Sequence, residues 1–113
     1  MRNEEIALTH YQMIEEVCQD HKGEELSRKT LNEMIFSKYG KLQSTIIFTD
    51  YCYNRTNKGI KFDKHLLLWL SAGKYEFVGS NYRFTGDIYW KPKGKLEKII
   101  GHWQNGKYEL FDY

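Results

Sequence analysis

The chain has 113 residues, 41% hydrophobic and 16% aromatic, and a formal net charge of +2. Those totals predict one folded domain, argue against a disordered chain, and allow a core that needs neither disulfide nor metal to staple it. Its two cysteines, Cys18 and Cys52, form no CxxC pair, and its longest apolar run, Leu66 to Leu70, is too short to span a bilayer, so a soluble cytoplasmic protein with no membrane partner is expected.

Charge is unevenly spread. Two basic residues face seven acids from Met1 to Leu26, whereas fifteen basic residues face eight acids from Ser27 to Tyr113. Such asymmetry suits a face that meets a polyanion, and equally an ordinary solvated surface.

Ala7, Tyr11, Ile14 and Val17/Cys18 recur at steps of three and four, which predicts a first helix within Glu4 to Asp20. Thr9 with Gln12 can form a capping box, or Asn3 can cap an earlier start, and His21-Lys22-Gly23 supplies the stop. A second helix to Tyr39 has Ser27 as its N-cap, Leu26 stapled to Leu31, and Gly40 for the left-handed end. After a short turn, Ser44 is again a good cap, and the spacing of Ile47, Tyr51 and Asn54 predicts a third helix from Thr45 to Arg55. The alternative start is at Asp50 with Thr49 as cap. The β-branched run Thr45-Ile46-Ile47-Phe48-Thr49 would also suit a strand, but it does not alternate.

From Gly59 onward the texture is strand and turn. Leu66 to Leu70 reads as a buried strand or the end of a short helix, and Lys74 to Val78 alternates cleanly after the Ser71-Ala72-Gly73 turn. Strands follow at Asp87 to Lys91, Leu96 to Trp103 and Tyr108 to Phe111, with Asn105-Gly106 as a strong hairpin signal. The expected fold class is therefore α+β, with three N-terminal helices followed by one small antiparallel sheet, in a single domain.

Catalysis finds no foothold. His10, His21, His65 and His102 are scattered, no metal-ligand spacing or phosphate loop occurs, and Cys52 between Tyr51 and Tyr53 reads as a buried hydrophobe. No cofactor or metal is expected. Two helices joined by a short turn and followed by a hairpin is, by contrast, the order of a winged helix. Thr45, Thr49, Asn54, Arg55, Asn57 and Lys58 are residue types that bond bases and phosphates. Lys74 in one hairpin tip, and Lys93 and Lys95 in another, would serve as wings. The competing reading is that the asparagines cap the third helix and the lysines are solvated turn residues.

The run from Leu26 to Val78, with Ser44-Thr45-Ile46 opening the third helix and Gly73-Lys74-Tyr75 entering a strand, resembles the winged helix-turn-helix domains of bacterial restriction and mobile-element proteins. The segment Asp50-Tyr51-Cys52-Tyr53-Asn54-Arg55-Thr56-Asn57-Lys58-Gly59 is similar to a signature of small uncharacterised bacterial and phage proteins. The resemblance implies non-catalytic binding of DNA, double-stranded in preference, in a phage, mobile-element or defence setting. The sheet from Asp87 to Phe111 departs from a minimal winged helix and supports a rival: a protein-binding module, inhibitor or homodimer that presents Tyr82, Phe84, Trp90 and Trp103 to a host or phage protein. Tyr82-Arg83-Phe84 would also stack on single-stranded bases.

Overall fold

In the computed structural model, which describes residues 9–40, 46–58 and 61–111, Thr9 caps helix α1 (His10–Cys18). Its hydroxyl accepts the Gln12 N–H at 3.1 Å while the Gln12 side chain accepts the Thr9 N–H at 2.9 Å, so the capping box decides the start. Asn3 lies outside the described residues. Strand β1 (Glu25–Ser27) precedes helix α2 (Arg28–Tyr39), where Ser27 accepts the Thr30 N–H at 3.0 Å and Gly40, at φ 77°, ends the helix by donating to the Phe36 carbonyl. Tyr39 ties the two helices together by donating to Glu16 at 2.5 Å.

The third helix is not formed. Among the described residues of that stretch, only Phe48–Tyr51 turns, as one short 3-10 helix, and neither the span to Arg55 nor the alternative from Asp50 is α-helical. The reason lies in burial. Phe48, Asp50, Tyr51, Cys52 and Tyr53 are all buried, whereas a surface helix would hide one stripe and expose the rest. The chain runs extended from Cys52 instead, and delivers consecutive side chains to two different cores.

The expected single sheet is likewise two. Strands β2 (Leu67–Ser71) and β3 (Lys74–Phe77) form a hairpin, and β1 pairs with β3, giving the order β1-β3-β2. Strands β4 (Gly86–Trp90), β5 (Lys98–Gln104) and β6 (Lys107–Leu110) form an antiparallel meander in the order β4-β5-β6. Asn105 (φ 51°) and Gly106 (φ 86°) both adopt the positive φ that a two-residue type I′ hairpin requires. The fold class is therefore α+β with two α-helices and two three-stranded antiparallel sheets, and the winged-helix arrangement does not survive. α1 and α2 bury Ile14, Cys18, Leu31 and Ile35 against Leu26, Leu67, Tyr75 and Phe77 of the first sheet. A second, smaller core gathers Tyr53, Val78, Ile88, Ile100 and Trp103.

Residues 52–56 act as a strap between the sheets. Cys52 bridges Leu67 on the outer edge of β2, and Arg55 bridges Tyr89 on the outer edge of β4, both in parallel. The Tyr53 N–H donates to the Leu67 carbonyl at 2.9 Å, while Thr56 N–H donates to Tyr89 O and Tyr89 N–H to Asn54 O, each at 3.0 Å. No helix among the described residues is long and apolar enough to cross a membrane.

A candidate aromatic cleft

Of the residues expected to read DNA, Thr49, Asn54 and Arg55 are held by the fold itself, whereas Asn57 and Lys58 are exposed. Asn54 grips Trp69 on β2 in two directions: its Nδ2 donates to the Trp69 carbonyl at 2.9 Å, and its Oδ1 accepts the Trp69 N–H at 2.8 Å. An asparagine amide mimics a peptide group, so this side chain stands in for one more residue of strand. Arg55 ion-pairs with Glu97 at 2.7 Å and lies over the Trp69 ring at 4.1 Å. The Thr49 hydroxyl hydrogen-bonds the Tyr75 hydroxyl at 3.1 Å. Buried Asp50 accepts the Thr56 hydroxyl at 3.1 Å and the Asn57 N–H at 2.7 Å, which shapes the end of the strap. The Lys58 ammonium sits 4.5 Å above the Trp90 ring, with Lys98 at 5.1 Å.

These residues do not converge on an open helix face. Thr45 lies outside the described residues, Lys93 and Lys95 are exposed in the β4–β5 connection, and Lys74 stands apart at the start of β3, 4.0 Å from Glu25.

What the fold does bring together is a cleft of about 1060 Å³ beside the smaller core, reaching Tyr11 of α1. Its aromatic wall comes from Tyr53, Tyr82, Trp103 and Tyr108. Trp103 is buried and donates its indole N–H to the Tyr53 carbonyl at 2.6 Å. Tyr108 donates to the Phe62 carbonyl at 2.6 Å, and the Tyr53 hydroxyl donates to the Gly79 carbonyl at 2.6 Å. Tyr82 (39%) and Tyr108 (41%) keep substantial ring surface open to solvent. Phe84, the remaining aromatic of the expected interface, is half-buried against the second core, as is Trp90.

Polar groups rim this wall. Asn81, Asn105, Arg83 and Lys107 line the opening, with Asp63 as the acid. The rim is laced: Gly106 N–H donates to Phe84 O at 3.0 Å, and Asn105 N–H donates to the Thr85 hydroxyl at 2.8 Å. Arg83 packs its stem against Gly106, so closely that a Cβ there would lie 3.4 Å from the Arg83 Cγ.

At the floor, His65 is enclosed by aromatic rings, with centroids at 4.2 Å from Phe62, 5.0 Å from Trp103 and 5.2 Å from Tyr53. It is buried, and its Nε2 has no hydrogen-bond partner among the described residues. Burial pushes its pKa down to about 4 against a smaller opposing pull from Asp63, so the ring is neutral at physiological pH. Burial also raises the Tyr53 hydroxyl above the ordinary tyrosine value. Among the described residues no group of three or more histidines, cysteines or acids is placed to hold a metal ion.

Sequence reasoning singled out Tyr82, Arg83 and Trp103 here but missed His65 and Lys107 as part of the same site. Residues 11, 53, 65, 82, 103 and 108 share no spacing: they come from α1, the strap, two connections and the β5–β6 hairpin, and only the tertiary fold brings them together.

A family profile described as a domain of unknown function (DUF7225) matches residues 9–110. The uncharacterized protein YnaC of Bacillus subtilis (strain 168) is 39% identical over 100 residues, which cover 88% of this chain and 38% of that protein. The chain thus spans well under half of that relative's length. No solved structure matches. Neither match carries a winged-helix description.

Proposed function

We propose, for a chain that belongs to the domain-of-unknown-function family DUF7225, non-catalytic binding of single-stranded nucleic acid in the aromatic cleft. The observation that carries this reading is the pairing of open aromatic surface on Tyr82 and Tyr108 with the rim cations Arg83 and Lys107. Unpaired bases stack on such rings whatever their sequence, and the neighbouring cations meet the phosphates. Asn81 and Asn105 offer both donors and acceptors to a base edge. Duplex DNA is less well served, because the stretch expected to form a recognition helix is spent as the strap between the sheets. The reading includes a cytoplasmic location, where such ligands are met.

The test is a fluorescence-anisotropy titration of a labelled single-stranded oligonucleotide, and of a duplex of equal length, at two salt concentrations. Tighter binding of the single strand is expected. Removing one stacking platform by Tyr82→Ala weakens it by about 1–3 kcal/mol. Two phosphate contacts give a slope of log affinity against log salt of roughly −1.4. Binding that is indifferent to Tyr82→Ala and to Arg83→Ala with Lys107→Ala would overturn the proposal, as would a preference for duplex.

A further inference from the structure

We propose that β6 is a dimerisation edge, along which two copies of this chain pair antiparallel about a two-fold axis at Tyr108. In the second sheet, the outer edge of β4 is occupied by the strap at Arg55, whereas all four residues of β6 are exposed. Among the described residues, the free edge of that sheet is therefore β6.

The hairpin register fixes which backbone groups it offers. Gln104 pairs with Lys107 across a two-residue turn, so these two exchange hydrogen bonds, as do His102 with Glu109. The Phe111 N–H donating to the Ile100 carbonyl at 2.7 Å continues the same alternation. Tyr108 and Leu110 consequently turn their N–H and C=O groups away from β5, toward the open edge. A partner strand must meet those residues.

Charge then chooses the register. Centring the axis on Tyr108 sets Lys107 of one copy opposite Glu109 of the other, and repeats the pair by symmetry. The neighbouring register, centred on Glu109, would oppose Glu109 to Glu109, and like charges directly opposite across strands are destabilising. A register shifted by an odd step would match outward-facing backbone groups with groups already bonded to β5. Leu110 and Tyr108, both substantially exposed, fall on one face and meet diagonally across the new strand pair. Sheet edges are protected from association by charges that repel a second copy. The alternation Lys107-Tyr108-Glu109 does the reverse, because it is complementary to itself. Pairing would join two three-stranded sheets into one of six strands and set the two clefts side by side at the shared Tyr108.

An edge of four residues makes a small interface, so the expected dimer is weak and dependent on concentration. Sedimentation equilibrium of the intact chain, without nucleic acid, tests the proposal separately from the binding function. The expected result is a monomer–dimer equilibrium that Lys107→Glu alone and Glu109→Lys alone each weaken by about tenfold or more. The double variant Lys107→Glu with Glu109→Lys restores the dimer, because the pairs are re-formed with their signs exchanged. Thermal melts of each variant establish that the fold is intact. A wild type that stays monomeric up to its solubility limit overturns the proposal. A dimer unmoved by either single reversal, or not restored in the double variant, does the same.

Discussion

Replacing Asn54 by alanine separates a structural residue from a recognition residue. In the folded chain its amide gives one hydrogen bond to the Trp69 carbonyl and takes one from the Trp69 N–H, at 2.9 and 2.8 Å. The partners fix the orientation of the amide, since a backbone N–H can only donate and a carbonyl only accept. Asn54→Ala removes both bonds at once and leaves two half-buried backbone groups on β2 to find water. With a net contribution of about 1 kcal/mol per bond and a further penalty where a group stays dry, the loss is about 2–3 kcal/mol. That is a substantial share of the roughly 5–15 kcal/mol that holds a domain of this kind folded. Equilibrium denaturation in urea reads it as a lower midpoint with an unchanged slope. Asn54→Asp should also destabilise, because it keeps the acceptor but sets a carboxylate oxygen against the Trp69 carbonyl. An Asn54→Ala variant as stable as wild type within about 0.5 kcal/mol, the range of an ordinary surface substitution, would refute this structural role for Asn54.

Three further outcomes are expected. His65 holds its folded pKa near 4, below the ordinary imidazole value of about 6.5, so the unfolded chain takes up the proton first. Stability is therefore full above pH 6.5 and falls as pH drops toward 4, by up to about 3 kcal/mol. Melts across that window should show this slope flattened in His65→Phe, and an unchanged slope would contradict the assignment. Gly101→Ala should loosen the β5–β6 pairing by about 1–3 kcal/mol, since a Cβ there would sit 2.5 Å from the Glu109 carbonyl oxygen; denaturant midpoints read the loss. Cys18 and Cys52 are free, buried thiols raised by burial, Cys18 to about 12, so neither should react with a thiol-specific chromogen until denaturant is added.

The local signals were the legible ones. Thr9 with Gln12, Ser27, Gly40 and Asn105-Gly106 each act within a few residues of backbone, and each does in the structure what its chemistry allows. Strand β1 was missed because Glu25-Leu26-Ser27 is too short to show a period and owes its form to pairing with Glu76, Tyr75 and Lys74, some fifty residues away. The third helix was misread for a related reason. The spacing of Ile47, Tyr51 and Asn54 matches a helix, yet Ile47 is exposed, and Tyr51 and Tyr53 enter different cores. Asn54 looked like a donor for a ligand because nothing nearby in sequence claims it, while its partner is fifteen residues on. The cleft was half visible, as an excess of aromatics after residue 75. Which rings would be covered and which left open depended on strand order.

The strap at residues 52–56 also bears on how the molecule comes apart. Among the described residues the second core gathers five buried side chains, too few to hold a three-stranded meander on their own, whereas the core on the helical side gathers thirteen. Because one segment is hydrogen-bonded to both, the smaller half borrows its order from the larger, and the two should melt in a single cooperative step. The amide protons of Thr56 and Tyr89, which bond across that seam, would then exchange with solvent only when the whole chain unfolds. The loops that line the cleft are thus held in register by a peptide segment that gives the cleft only one of its side chains, Tyr53.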